Sequence, residues 1–276
     1  MENRKRGGVT NSRPNRPESG GVKYRYIKKS TSQIDKESMV FGVQSVLETL
    51  RSEKEIDKIL IQREFGHSEV ERIAKERDIP VQRVPSEKLN SITGKNHQGV
   101  IAFVSAVNYA KLSNIVADAF ESGVVPVILV LDRITDVRNF GAIARTAECT
   151  SVNGIVVPTR GGAAVNSDAM KTSSGALNFI PVCRENDLSK AVEELKLSGF
   201  QVVACTEKGE GYIYDVPFTV PTVVIMGSEE DGISESLIRQ CDFVSKIPMS
   251  GNVSSLNVSV ATAVILYEIV RQRLTS

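Results

Sequence analysis

Apolar and polar residues form blocks along this chain, and the blocks become longer near residue 123. Before that point, short apolar runs such as IDKILIQ stand between amphipathic stretches. Beyond it, runs such as VVPVILVLD and TVVIMG are apolar on both faces and alternate with helical stretches. Strands of this kind are typical of a parallel sheet that is covered by helices on each side. The pattern therefore predicts an α/β protein whose larger part, residues 123–276, is built on a parallel sheet.

A smaller unit is predicted over residues 38–106. MVFGVQSVLETLRS has the apolar spacing of a helix, and IDKILIQ that of a short strand. HSEVERIAKERD and IPVQRV repeat this order, and GVIAFVSAV adds a further strand, which gives a compact αβαβ unit. Residues 107–122 are predicted to form a linker that contains a helix.

The first 37 residues have a different composition. Residues 1–33 carry nine Lys or Arg against two Glu, a net charge of +7, which leaves −6 for the rest of a chain of net charge +1. Because the stretch is poor in apolar residues, we expect residues 1–37 to be a disordered basic arm. Tyr24 and Tyr26 among its cations favour contact with RNA, and a solvated tail is the alternative. The RNA hypothesis also requires cations on one face of the small unit, for instance Lys58, Arg63 and Lys95.

Composition excludes several classes of protein. The 276 residues are 41% hydrophobic, enough for a sizeable core, and no apolar run approaches the roughly 18 residues of a membrane helix. The charged start MENRKRGG is not followed by the apolar core of a signal peptide, so a cytoplasmic protein is expected. The four cysteines contain no CxxC pair, which argues against a zinc site or a disulfide framework and predicts buried thiols.

Three strand-to-loop junctions are candidate sites, because ligands of parallel sheets bind at the carboxyl ends of the strands. After LVLD, Asn139 is expected to cap a helix. Gly141 leaves the first turn of that helix bare, and Arg145 lies among alanines one turn later. Such an arginine needs a partner, although a surface position or a structural ion pair would also explain it.

The second junction, VVIMGSEEDGIS, contains three consecutive carboxylates, beginning at Glu229. These would repel a phosphate, so a cationic or neutral ligand fits better. Neither GxGxxG nor GxxxxGK occurs in the chain, which argues against a nicotinamide or nucleotide enzyme. A hydrolase based on histidine is also disfavoured, because His67 and His97 both belong to the small unit.

The third junction, IPMSGNVSSLNVSVA, precedes the apolar helix at the end of the chain. It has six residues that could cap a helix within eight positions, where one cap would suffice: Ser250, Gly251, Asn252, Ser254, Ser255 and Asn257. Such a loop offers several backbone donors and acceptors at close range. That arrangement suits the edge of an adenine and a ribose better than a phosphate.

These three junctions carry a family resemblance. N139-x-G-x-x-x-R145, MGSE-x-x-G and IPM-x-G-x-V-x-SLNVSVA resemble, in order, the signature motifs of the SpoU (TrmH-like) family of RNA ribose 2′-O-methyltransferases in the SPOUT superfamily. The αβαβ unit ending in NHQGVIAFV resembles the small ribosomal-protein-like (L30e-like) domain of bacterial members. The arrangement is most similar to enzymes that methylate a guanosine ribose in 23S ribosomal RNA. A transfer RNA substrate, or an RNA-binding protein that has lost the activity, remains an alternative.

The resemblance implies S-adenosylmethionine as cofactor, no metal, RNA as substrate, a trefoil knot around the cofactor site, and a homodimer whose partner completes that site. It also implies two sets of site residues. The implied cofactor-binding residues are Thr206, Gly227, Ile247, Met249, Ser255 and Leu256. The implied catalytic residues are Asn139, Arg145, Glu229, Ser255 and Asn257.

The resemblance also suggests individual roles. Arg145 would orient the 2′-hydroxyl or hold the adjacent phosphate, because a guanidinium stays protonated and makes a poor base. Glu229 would hold Arg145 or Asn139, and Asn257 would fix the loop.

Overall fold

The computed structural model describes residues 39–52 and 54–275, so the expected basic arm lies outside the described residues. The first of its two α/β units has a four-stranded sheet in the order β1-β4-β2-β3. Strands β2 and β3 are parallel, and β4 runs antiparallel to β1 and β2. Its elements are β1 (Met39–Phe41), α1 (Val43–Arg51), β2 (Ile56–Gln62), α2 (Ser68–Glu76), β3 (Val81–Val84), α3 (Ser86–Ile92) and β4 (Val100–Val104).

The start of this unit differs from the prediction of one helix from Met39 onward. Met39–Phe41 form a strand that pairs with β4, and the helix begins only at Val43. Between them, Gly42 has φ of +86°, a backbone conformation that residues other than glycine rarely adopt. Helix α3 was also not predicted, so the unit is βαβαβαβ rather than αβαβ.

The second unit confirms the predicted α/β class with a parallel sheet. Its seven strands pair in parallel in the order β7-β6-β5-β10-β8-β11-β9. After the linking helix α4 (Leu112–Glu121), the strands are β5 (Val127–Asp132), β6 (Gly154–Pro158), β7 (Val182–Glu185), β8 (Gln201–Cys205), β9 (Gly211–Tyr212), β10 (Thr222–Gly227) and β11 (Phe243–Lys246). The helices between and after them are α5 (Val137–Cys149), α6 (Ser167–Thr172), α7 (Leu188–Leu197), α8 (Glu235–Ile238) and α9 (Val258–Leu274).

Helices cover both faces of this sheet. Helices α5, α6 and α9 share one buried cluster with the strands, while α4, α7 and α8 share the other. All six residues of β5 are buried, which explains why its sequence is apolar at every position before Asp132. None of the described helices combines the length and the apolar composition that crossing a membrane requires.

A polar junction connects the two units. The Tyr109 hydroxyl donates to Asp57 Oδ1 at 2.5 Å, and the Arg184 guanidinium lies 3.8 Å from the centre of the Tyr109 ring. Arg184 also donates to the carbonyl of Ile56 at 3.1 Å. Burial raises the pKa of the Asp57 carboxyl. Residues of β2, of the linker and of β7 thereby fix the small unit to the edge of the large sheet.

The prediction of buried thiols is wrong for one cysteine. Cys183 and Cys205 are buried, and Cys241 is partly buried, whereas Cys149 is exposed at the end of α5. Burial raises the pKa of the Cys205 thiol to about 12, so this thiol stays protonated near neutral pH.

Arg273 near the end of α9 provides a test of how the large unit is held together. Its Nε donates to the carbonyl of Phe218 at 2.9 Å, Nη1 to that of Val125 at 2.6 Å and Nη2 to that of Val220 at 3.2 Å. We predict that Arg273→Ala lowers the free energy of unfolding by about 2–3 kcal/mol, because charged donors are lost from several carbonyls at once. Urea unfolding measures this change.

Arg239→Ala is the matched control. Arg239 pairs with Glu235 on the surface, where the two side chains are 77% and 81% exposed. Its loss should cost less than about 0.5 kcal/mol. Equal destabilisation by the two substitutions would contradict the bracing role of Arg273.

Candidate functional site

The carboxyl ends of β8, β10 and β11 border one cavity of about 350 Å³, within the usual range for small-molecule sites. Its walls come from residues 205–207, 226–229, 232–233 and 254–258, together with Ala261 of α9 and two residues after β11. All the residues expected to bind a cofactor line this cavity: Thr206, Gly227, Ile247, Met249, Ser255 and Leu256. The structure thus brings together the loop after β10 and the loop after β11, with the end of β8 between them.

The loop after β11 has unused hydrogen-bonding capacity. Asn257 caps α9, since its Oδ1 accepts from the Ser259 amide at 3.0 Å. Residues 248–256 make no hydrogen bond with any other part of the described chain. Ser254, Ser255 and Leu256 from this stretch face the cavity. The surplus of small polar residues therefore coincides with open backbone groups beside a cavity, as a nucleoside-binding loop requires.

Gly227 shapes the opposite wall. A Cβ on this residue would stand 2.2 Å from the carbonyl carbon of Gly232 and 2.3 Å from the Ile233 nitrogen, which is far inside van der Waals contact. The turn closes where the Gly232 amide donates to the Ser228 carbonyl at 3.0 Å. Only glycine at position 227 lets the chain fold back on itself so tightly.

Asp132, the last residue of β5, and Arg133, which follows it, both contact this turn. The sequence pattern did not predict this role. Asp132 is buried and accepts from the Ser234 amide at 2.7 Å. Arg133 donates to the Gly232 carbonyl at 3.2 Å and forms an ion pair with Asp231 at 3.2 Å. Its φ of +57° is unusual for a residue other than glycine. The detectable signal was a carboxylate that ends an otherwise apolar strand.

Asn139, Glu229 and Asn257 form a polar cluster, here called the Asn–Glu–Asn cluster. Glu229 Oε1 accepts from Asn139 Nδ2 at 3.3 Å, from Asn257 Nδ2 at 2.6 Å and from the Val258 amide at 3.3 Å. Asn257 Nδ2 also donates to Asn139 Oδ1 at 3.0 Å. The cluster joins the first turn of α5, the turn after β10 and the start of α9.

The cluster corrects one expectation about α5. The helix cap is Asp136, whose carboxylate accepts from the amides of Arg138 and Asn139 at 2.6 and 3.0 Å. Asn139 lies inside the first turn, and its side chain is used by Glu229 and Asn257 instead. Of the two partners considered for Glu229, the structure has Asn139 and not Arg145.

Arg145 lies apart from the cavity. It is exposed and comes six residues after Asn139, so it is about 9 Å further along the helix axis. Its side chain makes no hydrogen bond or ion pair with the described residues. Gly141, one turn earlier, packs tightly against α6, where its Cβ would meet Thr172 Cβ at 2.7 Å. The guanidinium is therefore available to a molecule outside this chain.

The polar groups of the cavity favour a ligand that is neutral or positively charged. Glu207 and Glu229 both contribute to its lining, and no Lys or Arg does so. Within residues 39–52 and 54–275, no group of three or more His, Cys, Asp or Glu could hold a metal ion. The cavity therefore combines carboxylates with open backbone groups, a chemistry that suits a nucleoside bearing a cationic group.

Comparison with protein families gives two matches that together cover most of the chain. Residues 126–267 match the SpoU rRNA methylase family, and residues 39–110 match a family described as RNA 2′-O ribose methyltransferase substrate binding. The putative TrmH family tRNA/rRNA methyltransferase YacO of Bacillus subtilis is 35% identical over 237 residues, covering 85% of this chain and 95% of that protein.

Solved structures of SpoU and TrmH/SpoU enzymes are also similar to this chain. The SpoU methyltransferase AviRb from Streptomyces viridochromogenes, in complex with the cofactor AdoMet, has a TM-score of 0.54 and 25% identity. The match covers 86% of this chain and 91% of AviRb. The TrmH/SpoU tRNA modifying enzyme of A. aeolicus has a TM-score of 0.51 and 30% identity, over 59% of this chain and 85% of that enzyme.

Gly227→Ala tests whether the tight turn shapes the cofactor cavity. We predict at least about a tenfold loss of affinity for S-adenosylhomocysteine, because the added methyl group forces the turn to open. Titration calorimetry measures the affinity, and circular dichroism checks that the variant is folded.

Gly211→Ala is the control outside the cavity. No heavy atom lies within 4 Å of a Cβ at Gly211, and the residue does not line the cavity, so this variant should bind like the unmodified protein. Unchanged affinity in a folded Gly227→Ala variant would contradict the assignment of this wall to the cofactor.

Proposed function

Because the chain belongs to the SpoU family of RNA methyltransferases, we propose that it methylates the 2′-hydroxyl of a guanosine ribose in 23S ribosomal RNA. Family membership gives the enzyme class, RNA 2′-O-ribose methyltransferase, and the cofactor, S-adenosylmethionine. The observation that carries methyl transfer is the cavity with open backbone groups beside the Asn–Glu–Asn cluster, and the guanosine of 23S ribosomal RNA is proposed on the resemblance of the sequence motifs. An enzyme acting on ribosomal RNA would work in the cytoplasm, which is the location we propose.

The cavity residues fit the cofactor. Bound S-adenosylmethionine supplies a methyl group on a positively charged sulfur. The open amides and carbonyls around Ser255 and Leu256 suit an adenine edge and ribose hydroxyls, and the carboxylate of Glu229 suits the positive charge. We therefore assign cofactor binding to the cavity residues Thr206, Gly227, Ile247, Met249, Ser255 and Leu256.

The proposed catalytic residues act by positioning. Methyl transfer to a hydroxyl is an in-line displacement, so holding the two reacting atoms in line supplies much of the rate enhancement. Glu229 fixes Asn139 and Asn257, and with them the cofactor loop that contains Ser255. Arg145, whose guanidinium has no partner in the described chain, orients the ribose through its hydroxyl or the adjacent phosphate.

We propose ribosomal RNA, and not transfer RNA, as the substrate. The matching family is described as rRNA methylase, and a substrate-binding unit precedes the catalytic one in this chain. The tRNA modifying enzyme of A. aeolicus resembles only 59% of the chain. Transfer RNA remains the second candidate, because YacO is named a tRNA/rRNA methyltransferase. The intact Asn–Glu–Asn cluster argues against a protein that has lost its activity.

Finer features of the fold belong to the same proposal. We propose a ribosomal-protein-like RNA-binding domain over residues 38–106, a linker over 107–122 and a SPOUT domain over 123–276. We also propose a trefoil knot in the SPOUT domain, on the resemblance of the three junction motifs to those of the SpoU family.

A homodimer is supported by the outer face of α9. Val260 is 48% exposed and Tyr267 is 56% exposed, and they lie on one side of the helix with the partly exposed Val264 between them. An apolar stripe of this kind is typical of an interface. We propose that two copies pair through this stripe and that the partner subunit completes the RNA side of the site.

Arg145→Ala tests the proposed chemistry. We predict that methyl transfer to 23S ribosomal RNA falls by about a hundredfold or more, because the ribose is no longer held in line. Affinity for S-adenosylmethionine should stay unchanged, since Arg145 does not line the cavity. Transfer of tritiated methyl groups and calorimetry measure the two quantities, and mapping of 2′-O-methyl sites in a deletion strain identifies the nucleotide.

Arg145→Lys is the comparison variant, because it keeps the charge and loses the planar fork. It should retain part of the activity. If Arg145→Ala weakened cofactor binding as much as turnover, the assignment of this residue to the RNA side would be wrong.

Tyr267→Asp tests the proposed dimer. We predict that the variant is monomeric, because a carboxylate buried in an apolar interface costs several kcal/mol. Methyl transfer should be lost together with the dimer. Light scattering gives the mass. Leu197→Asp, on the exposed end of α7, is the control and should remain dimeric; a dimeric Tyr267→Asp variant would show that the interface lies elsewhere.

A further inference from the structure

One face of the small sheet carries two phenylalanine rings, and a third lies at the end of the sheet. In the strand pairing of this sheet, Phe103 of β4 lies between Met39 of β1 and Lys58 of β2. Phe41 of β1 pairs with Ile101, the next residue of β4 on that face. The position that a Cβ on Gly99 would take is 3.2 Å from His67 Nε2, 3.5 Å from Gln62 Cβ and 3.5 Å from Phe65 Cγ, so Phe65 and His67 lie beside Gln62 at the end of β2. The rings of Phe41 and Phe103 therefore share one surface, which we call the aromatic face, and Phe65 stands at its β2 end.

Cations accompany these rings. Lys58 Nζ lies 5.2 Å from the centre of the Phe103 ring, and Lys95 Nζ lies 5.6 Å from that of Phe41. Arg63 is exposed in the same loop as Phe65. Within the described chain, these three cations form no salt bridge. Three arginines elsewhere in the unit do pair with glutamates: Arg51 with Glu69, Arg72 with Glu76, and Arg83 with Glu71.

The two faces of the sheet differ in how they are covered. Helices α1 and α2 enclose one face in a continuous core. On the aromatic face, the short helix α3 covers only the centre, through Leu89, while Phe41 and Phe103 remain partly exposed. Phe65 is 52% exposed and stacks on His67 with 8° between the ring planes. One face of the Phe65 ring therefore stacks on His67, and the other face is open to a further ring.

This combination fits unpaired nucleotides better than a duplex. Proteins that bind single-stranded RNA stack its bases on aromatic side chains and attract its phosphates with nearby cations, often on one face of a four-stranded sheet. The bases of a duplex are stacked on each other and present no free face to a ring. The rings under Lys58 and Lys95 hold these ammonium groups above the face, where phosphates would pass.

We propose that the aromatic face binds an unpaired segment of the RNA substrate, with a base stacked on Phe65 and phosphates held by Lys58, Lys95 and Arg63. The inference rests on the proposed function, because it takes RNA as the substrate of the cavity in the large unit. The inference goes further in two respects: it names the surface of the small unit that holds the RNA, and it names the form of RNA that this surface selects.

Two substitutions at position 65 separate the ring from its apolar bulk. Phe65→Leu keeps an apolar side chain and removes the aromatic ring, whereas Phe65→Trp keeps an aromatic ring. The probes are a fluorescent RNA hairpin with an unpaired loop and a duplex of the same stem, and anisotropy of the full chain gives both affinities. Phe65→Leu should bind the hairpin about tenfold more weakly, while Phe65→Trp binds it like the unmodified protein. Duplex affinity should be the same for all three proteins.

Leu197→Ala is the control for loss of exposed apolar surface, since Leu197 is 84% exposed on α7 in the large unit. It should not change binding of the hairpin. In methyl transfer, Phe65→Leu should raise KM for RNA and leave kcat unchanged, with unchanged calorimetric affinity for S-adenosylmethionine.

Three results would overturn the inference: hairpin binding that Phe65→Leu leaves intact, equal losses with Leu and Trp, or an equal loss for hairpin and duplex. The proposed function fails in a different way, through absence of 2′-O-methylation of ribosomal RNA by the unmodified protein. The hairpin and duplex affinities do not depend on that reaction, so the two failures can be told apart.

Discussion

The carboxylate of Glu229 is the acceptor on which the site depends. Its Oε1 accepts hydrogen bonds from Asn139 Nδ2 in α5, from Asn257 Nδ2 at the cap of α9 and from the backbone amide of Val258. These partners are separated from Glu229 by up to 90 residues along the chain. A hydrogen bond to a charged group contributes about 1.5–3 kcal/mol, and a negative charge is also favourable at the positive end of a helix such as α9. A single side chain thus fixes the relative positions of the three segments that surround the cavity.

This constraint explains why the loop after β11 can leave its own backbone unused. Residues 248–256 make no hydrogen bonds with other described residues, so no hydrogen bond within the loop fixes its path. Its ends do define it: β11 holds one end in the sheet, and Asn257 is tied to Glu229 at the other. The facing wall is braced separately by Asp132 and Arg133. Open backbone groups exposed to water cost little, and the anchored ends keep them ready for a ligand.

The sequence predicted the parts of the fold that depend on local pattern. The parallel strands were recognisable because burial on both faces requires apolar residues at every position, as in β5. Strand β1 was missed because its three residues gain their hydrogen bonds from β4, some sixty residues later, and only the positive φ of Gly42 separates it from α1. The cap of α5 was misassigned because Asp136 and Asn139 are both good caps. A contact with Glu229, distant in sequence, decides between them.

The motif MGSE-x-x-G singled out Glu229 and left Asn139 and Arg145 as its possible partners, and the structure decides between them. Among three consecutive carboxylates, the turn directs Glu229 to Asn139 and Asn257 and directs Asp231 to Arg133. The role of Asp231 has no signal in composition or in the motif.

The junction between the two units bears on how RNA bound to the small unit, as proposed, would reach the cavity of the large one. Tyr109, Asp57 and Arg184 meet through a hydrogen bond, a ring contact and donation to a backbone carbonyl, each of which has a preferred direction. An apolar contact of the same size would allow sliding, because the hydrophobic effect has no direction. RNA bound on the small unit as proposed would then present its ribose to the cavity at a high effective concentration, without the search that a flexible tether imposes. The directional contacts of this junction are what such a transfer of binding energy to the reaction would require.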